Sequence, residues 1–312
     1  MSAGGNACLR PRGRNLGKVD DGYLSEDDRP IGMFDSGFGG LSVARALIDL
    51  APGEHLVYVG DTGRYPYGPR PLSEVRAYAG QIGRWLVDEH DVKLVVVACN
   101  TAAAAGLGAL RRLLPVPVIG VIEPGVRAVA KATRNRKVGV IGTVGTVSSG
   151  AYQRAIGDLA VPLELTCAAC PGFVEFVERG DTRSDQVVVL AERLLAPLRQ
   201  AGIDTLLLGC THYPFLARTI ADAVGRGVVL VSSADETAFD VRATLAEGRL
   251  GRGGHRRGQA RFFSSGEVEW FRSVGGRLFG AELGDVGQVA WPVADAVADD
   301  EPGDSGTAMT GC

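Results

Sequence analysis

Leu94-Val-Val-Val-Ala-Cys99-Asn100-Thr101-Ala102 and Thr205-Leu-Leu-Leu-Gly-Cys210-Thr211-His212-Tyr213-Pro214 are two copies of one pattern, a short apolar run that reaches a cysteine and then turns polar. Runs of four or five apolar residues closed by small and polar ones read as parallel strands buried on both faces. In open α/β sheets, ligands bind just beyond the carboxyl ends of such strands. Each cysteine is therefore expected at a binding cleft, one from each half of the chain.

The same reading extends in both directions. Apolar runs at 31–34, 55–59, 94–98, 118–121, 138–141, 163–166, 205–208 and 228–231 are expected strands; amphipathic stretches at 41–50, 72–89, 102–114 and 185–201 are expected helices. Strands alternating with helices build parallel βαβ units, so the expected fold class is α/β, with doubly wound, mainly parallel sheets. A faint repeat divides the chain: Pro30-Ile-Gly-Met-Phe-Asp-Ser36 resembles Lys137-Val-Gly-Val-Ile-Gly-Thr143, and each copy precedes one strand–cysteine motif at a similar interval. Two similar lobes follow, with the active site in the cleft between them. Residues 30–122 together with 232–281 are expected to form the first lobe and 123–231 the second. The flanks 1–29 and 282–312 lack apolar periodicity and are expected to be disordered, which sets Cys8 and Cys312 aside.

Composition narrows the function. The 312 residues suit about two domains at ~150 residues each. With 46% apolar and 22% charged residues, the chain has the makings of an ordinary globular core. A net charge of −3 gives no basis for a nucleic-acid or membrane surface. The cluster from Arg252 to Arg257, with His255, reads as a solvated loop, because no nucleic-acid motif accompanies it. No segment approaches the ~18 apolar residues of a membrane span. Arg10, Arg12 and Arg14 are not followed by the apolar stretch of a secretory signal. The six cysteines are then expected to be reduced, in the cytoplasm.

Two thiols meeting one substrate from two lobes can take a proton from one face of a stereocentre and return one to the other, which makes Cys99 and Cys210 the candidate catalytic pair. Phe34-Asp35-Ser36-Gly37-Phe38-Gly39-Gly40-Leu41-Ser42 leaves a strand and opens a helix. Its glycines admit a ligand close to the backbone, and the helix start offers free N–H groups to an anion. The spacing matches neither a phosphate loop nor a dinucleotide fingerprint, so a small carboxylate suits it better. Asp35 either caps that helix or partners a titrating group. In the loop Gly60-Asp61-Thr62-Gly63-Arg64-Tyr65-Pro66-Tyr67-Gly68, Tyr67 and Gly68 could lend a hydroxyl and an N–H to a carboxylate. Asn100-Thr101 and Thr211-His212 add donors at the starts of the following helices. His212, one of four histidines, stands two residues past a strand-end cysteine and is a catalytic candidate. Cys167-Ala-Ala-Cys170 competes as a redox dithiol or half a zinc site, but further ligands at the right spacing are missing and it reads as a strand exit into a short helix. The lysines at 18, 93, 131 and 137 fall outside the strand-end motifs, which argues against a pyridoxal Schiff base. No cofactor and no metal are expected.

Taken in order, Asp35-Ser-Gly-Phe-Gly-Gly-Leu-Ser42, Gly60-Asp-Thr with Pro66-Tyr-Gly68, Ala98-Cys-Asn-Thr-Ala102 and Gly209-Cys-Thr-His-Tyr-Pro214 closely resemble the glutamate racemases of the cofactor-independent aspartate/glutamate racemase family. The resemblance runs from about Pro30 to Ala281. It implies a two-lobed α/β fold, interconversion of L- and D-glutamate without cofactor, supply of D-glutamate for peptidoglycan, and a homodimer. Motif by motif, it puts the acid–base cysteines on Cys99 and Cys210. The substrate-binding pairs fall on Asp35-Ser36, Tyr67-Gly68, Asn100-Thr101 and Thr211-His212, and the supporting acids on Asp35, Asp61 and Glu178. Glu175, three residues before Glu178, competes for the last role. Gly63 in place of alanine and Glu175 in place of proline depart from the family pattern. A related racemase of aspartate or a hydantoin, and a two-lobed binding protein without chemistry, are the rival readings.

Overall fold

The computed structural model describes residues 27–253, 256–280 and 283–292. The chain opens with β1 (Ile31–Asp35), α1 (Leu41–Leu50), β2 (Leu56–Gly60), α2 (Leu72–His90), β3 (Leu94–Val97), α3 (Asn100–Leu113), β4 (Val118–Gly120) and α4 (Ile122–Ala132). It continues through β5 (Lys137–Gly142), α5 (Val144–Ser148), α6 (Ala151–Gly157), β6 (Glu164–Ala169), α7 (Phe173–Glu178), α8 (Asp185–Ala201), β7 (Thr205–Gly209), a 3-10 turn (Tyr213–Leu216), α9 (Ala217–Val224) and β8 (Val229–Ser232). The last described elements are α10 (Ser233–Glu247), β9 (Ala260–Ser264), α11 (Val268–Phe279) and β10 (Val286–Gln288).

The strands form two sheets, ordered β10-β9-β2-β1-β3-β4 and β6-β5-β7-β8, and every pairing is parallel. Parallel strands need both faces covered, and every residue of β1, β2, β3 and β7 is buried. Helix ends follow local chemistry. In α8 the Ser184 hydroxyl accepts the Val187 N–H at 3.4 Å, Asp185 sits in the first turn, and Gly202 closes the helix in the left-handed region at φ 68°. Helix α10 packs on both α1 and α4 and so ties the two sheets' helices together.

The repeat read from the sequence has a geometric counterpart. The order β2-β1-β3-β4 recurs as β6-β5-β7-β8. Ile31 of β1 lies opposite Leu94, and Val138 of β5 lies opposite Thr205. Counting on from those partners, Cys99 and Cys210 both stand five residues later (94 to 99, 205 to 210). In each sheet the chain turns one way from the first strand and then the other, so the cysteine lies at a topological switch point.

Some expectations need correction. The strand expected at 163–166 is Glu164–Ala169, which puts Cys167 inside it. Disorder was expected through residue 29 and again from 282. Instead, the carbonyl of Asp27 accepts from Lys93 Nζ at 2.8 Å, and Val286–Gln288 pairs with β9. A buried ammonium needs partners, and Asp27 with Glu54 (2.6 Å) supplies them; the open edge of β9 accepts one more short strand. The rest of those flanks, with Cys8, Cys312, His255 and Ala281, lies outside the described residues. Arg252 is no solvated side chain: its guanidinium binds Asp28 and the carbonyls of Gly53 (2.9 Å) and Arg256 (3.1 Å).

Candidate active site

Both strand-end cysteines line one cavity of about 280 Å³ between the lobes, at the lower end of small-molecule sites. The first lobe supplies Ser36 from the end of β1, Tyr65, Tyr67 and Gly68 from the loop after β2, and Cys99, Asn100 and Thr101 from the start of α3. The second supplies Thr143, Cys170, Cys210, Thr211 and His212.

Cys99 is the residue on which α3 starts, with extended backbone (φ −85°, ψ 120°). Its thiol donates to Ser36 Oγ at 3.7 Å. Burial pushes that thiol up to about 12, and the Asp35 carboxylate adds to the push. Asp35 itself is fully buried. One of its oxygens accepts the Gly37 N–H at 2.8 Å; the other accepts the Thr211 hydroxyl at 3.3 Å, across the cleft. Burial raises the Asp35 carboxyl despite these donors and the nearby His212. The glycines after it are there for space. A Cβ on Gly40 would stand 2.6 Å from that of Asp35, and one on Gly39 2.2 Å from the Thr211 hydroxyl.

Cys210 has different company. Its Sγ lies 3.8 Å from His212 Nδ1, and His212 Nε2 lies 3.3 Å from Glu178 Oε1. The second contact is at ion-pair distance but not aligned as a hydrogen bond. Burial alone would push the imidazole down; Cys210, Glu178 and Asp35 outweigh it and carry His212 up to about 10. Between the two acids that sequence left open, Glu178 stands against His212, whereas Glu175 is exposed where it lines the cavity.

Polar side chains complete the lining. Asn100 donates its amide to Tyr152 Oη at 2.8 Å, while its Oδ1 is buried with no partner, an acceptor left for a ligand. The Thr101 hydroxyl meets those of Thr143 (3.0 Å) and Thr146 (3.1 Å), joining α3 of the first lobe to the start of α5 in the second. The Gly68 carbonyl accepts the Gly145 N–H at 3.0 Å, a second link between lobes. The Tyr67 hydroxyl is already spent on Asp61, so only its backbone and ring face a ligand. Asp61 does not line the cavity: it is fully buried and accepts from Arg64 (2.8 Å), Ser265 (2.6 Å), Trp291 (2.6 Å) and Tyr67. Gly63 allows this packing, since a Cβ there would stand 2.7 Å from the Ser265 carbonyl.

Among the lining residues that the sequence reading did not name as site residues, Thr143 was signalled, because the repeat aligns it with Ser36. Tyr65 and Cys170 had no such signal, since their place depends on how the lobes face each other. Cys170 is buried with its thiol pushed up to about 12 by burial and by Cys210. Cys167, within β6, is not part of the cavity lining. Among the described residues no group of three or more His, Cys, Asp or Glu is placed to hold a metal ion.

Residues 31–239 match the Asp/Glu/hydantoin racemase family. The chain belongs to that family. A glutamate racemase of Acidothermus cellulolyticus is 51% identical over 263 residues, which are 82% of this chain and 97% of that one. The crystal structure of a glutamate racemase isoform from Bacillus anthracis superposes with TM-score 0.80 at 40% identity, covering 86% of this chain and 99% of its own. That of the Francisella tularensis glutamate racemase, solved in complex with D-glutamate, gives 0.79 at 32% identity, with 85% and 98% covered. Membership of the racemase family at this similarity makes the chain an enzyme, an isomerase. None of the helices among the described residues is long and apolar enough to cross a membrane.

Proposed function

We propose that this racemase-family enzyme interconverts L- and D-glutamate by passing protons at Cα between Cys99 and Cys210, with neither metal nor organic cofactor. The observation that carries the reading is the placement of both thiols at equivalent positions of two like-folded lobes, lining one cavity.

A thiolate is the competent base and a thiol the competent acid. The Cys99 thiol, buried beside a carboxylate, is assigned the role of acid in one direction, and the Cys210 sulfur, beside the His212 imidazole, that of base. The Cys210 sulfur takes the α-proton, the electron pair of the C–H bond delocalises into the substrate carboxylate, and the Cys99 S–H delivers a proton to the opposite face. The enzyme then holds the two roles reversed, ready for the other enantiomer. Stabilising the carbanion requires donors aimed at the α-carboxylate in a site shielded from water. Among the described residues lining the cavity none is lysine or arginine, so recognition of the two carboxylates falls to hydroxyls and backbone N–H groups. Ser36, Thr101, Thr143 and Thr211 supply the hydroxyls, and Asn100 Oδ1 is an acceptor for the substrate ammonium. Asp35, Glu178 and His212 set the protonation of the two sulfurs, and Asp61 fixes Tyr67 and the adjoining Gly68.

The likeness to glutamate racemases further supports a homodimer, a cytoplasmic location and D-glutamate supplied to peptidoglycan. Rescue of a D-glutamate auxotroph tests the supply role, and sedimentation tests the dimer. The deciding experiment follows L-glutamate in D₂O by proton NMR and circular dichroism, with chelator present and pyridoxal phosphate omitted. Loss of the α-proton signal together with decay of optical activity is expected. Silence with L-glutamate but turnover of L-aspartate would move the specificity, and silence with both, from folded and reduced protein, would leave a binding protein.

A further inference from the structure

Three polar atoms near Cys210 are buried without a hydrogen-bond partner: Tyr65 Oη, Glu178 Oε1 and His212 Nε2. Two of them belong to the pair just described; the third comes from the opposite lobe. Tyr65 follows β2 and reaches over the cleft, its ring against Gly37, where a Cβ would stand 3.1 Å from the nearest ring atom. Its ring centre is 6.3 Å from that of Phe38, 6.1 Å from that of Trp270 and 6.4 Å from that of His212. The phenol is held protonated, because burial and the neighbouring Glu178 carboxylate both push it up. A buried O–H without an aligned acceptor, beside a buried carboxylate oxygen without an aligned donor, makes the two groups natural partners.

We propose that Tyr65 is a positioning residue of the Cys210 half-site, its hydroxyl donating to Glu178 across the cleft so that the carboxylate holds His212 in line with Cys210. The assignment rests on the two-cysteine reading of the reaction. It adds that lobe position, felt through Tyr65, governs one proton transfer and not the other. Aspects of the local arrangement fit. Arg277, also from the first lobe, donates only to the Glu178 backbone carbonyl (3.1 Å), which leaves the carboxylate to the Tyr65 hydroxyl, and the ring's packing on Gly37, Phe38 and His212 leaves it little freedom to point elsewhere.

Tyr65→Phe keeps the ring and removes the hydroxyl, so thermal melting should be nearly unchanged. The informative readout is the primary isotope effect with α-deuterated L- and D-glutamate, measured beside Cys210→Ser. Slowing proton transfer at one sulfur raises the isotope effect for the enantiomer that sulfur deprotonates. We expect Tyr65→Phe to lower kcat several-fold with little change in KM, and to raise the isotope effect for the same enantiomer that Cys210→Ser singles out. A ¹⁵N signal of the His212 ring that moves in Tyr65→Phe, with those of the other histidines still, is the matching spectroscopic expectation. An isotope effect unchanged, or raised equally for both enantiomers, overturns the assignment and leaves Tyr65 a packing residue. If Cys210→Ser itself racemises at the wild-type rate, the two-cysteine reading falls first, and the Tyr65 assignment with it.

Discussion

The halves of the cavity around Cys99 and Cys210 share a backbone and differ in side chains. Each sulfur sits five residues past an equivalent strand pairing, at the end of the third strand of its lobe. Cys99 is met by a serine hydroxyl and a buried carboxylate, Cys210 by an imidazole with a carboxylate behind it. A negative neighbour favours a neutral thiol; a positive one favours the thiolate. On the proposed mechanism, duplicated topology supplies two like positions for one substrate, and unlike company suits one sulfur to act as acid and the other as base.

Removing either sulfur is the strongest way to break the comparison. Cys99→Ser and Cys210→Ser should each lower kcat by roughly 10²–10⁴-fold, the usual weight of a positioned acid or base. Their isotope effects with α-deuterated substrate should rise for opposite enantiomers. A rise for the same enantiomer in both variants would mean the halves are not complementary.

Exchanging the company while keeping the sulfur comes next. Asp35→Asn and His212→Asn should each cost on the order of 10–100-fold in kcat, less than loss of the thiol itself. Asp35→Asn should also bring the Cys99 thiol down from its raised value, read by the pH at which a thiol-reactive probe begins to label a Cys210→Ser background. No change in that pH would remove Asp35 from the account of Cys99.

Much of this contrast was legible in sequence, for a physical reason. Strands buried on both faces announce themselves as unbroken apolar runs, so β1, β3 and β7 and the residues at their ends could be read directly. The strands added beyond β2 carry no such signature. In β9, Ala260 and Arg261 are exposed, and β10, at the edge of the sheet, is three residues long, so both went unread. The site divides the same way. Asp35, Cys99, Cys210 and His212 follow from their own strands. Tyr65 and Cys170 reach the cavity only because two lobes meet there, and Asp61 looks like a site acid until Ser265 and Trp291, more than two hundred residues away in sequence, are seen to saturate it.

A pH series sharpens the Cys210 side. His212 is raised in the folded protein from 6.5 to about 10. A raised pKa means the folded state binds the proton more tightly, so the stabilising contribution is complete below about 6.5 and is lost as pH climbs through about 10. Wild-type Tm should therefore fall over that interval more than the Tm of His212→Asn. Parallel curves for the two proteins would show that the imidazole is not held as a cation.

The smallest effect lies furthest from the sulfurs, at Trp291. Its indole N–H donates to Asp61 at 2.6 Å, the Arg64 guanidinium lies over its ring (5.0 Å), and its ring meets that of Trp85 edge to face (5.9 Å). Asp61 also accepts from Tyr67, whose neighbour Gly68 lines the cavity, so the segment after β10 acts on the first lobe's loop and not on either thiol. Trp291→Phe keeps much of the ring packing and removes one of four donors to a buried carboxylate, a loss of about 1–3 kcal/mol in stability. Since both half-sites stay intact, the isotope effects for the two enantiomers should remain as in wild type, while KM rises modestly through a looser Tyr67–Gly68 loop. A change in isotope effect for one enantiomer only would show that this loop belongs to one half of the cavity, and the asymmetry would then extend beyond the groups that touch sulfur.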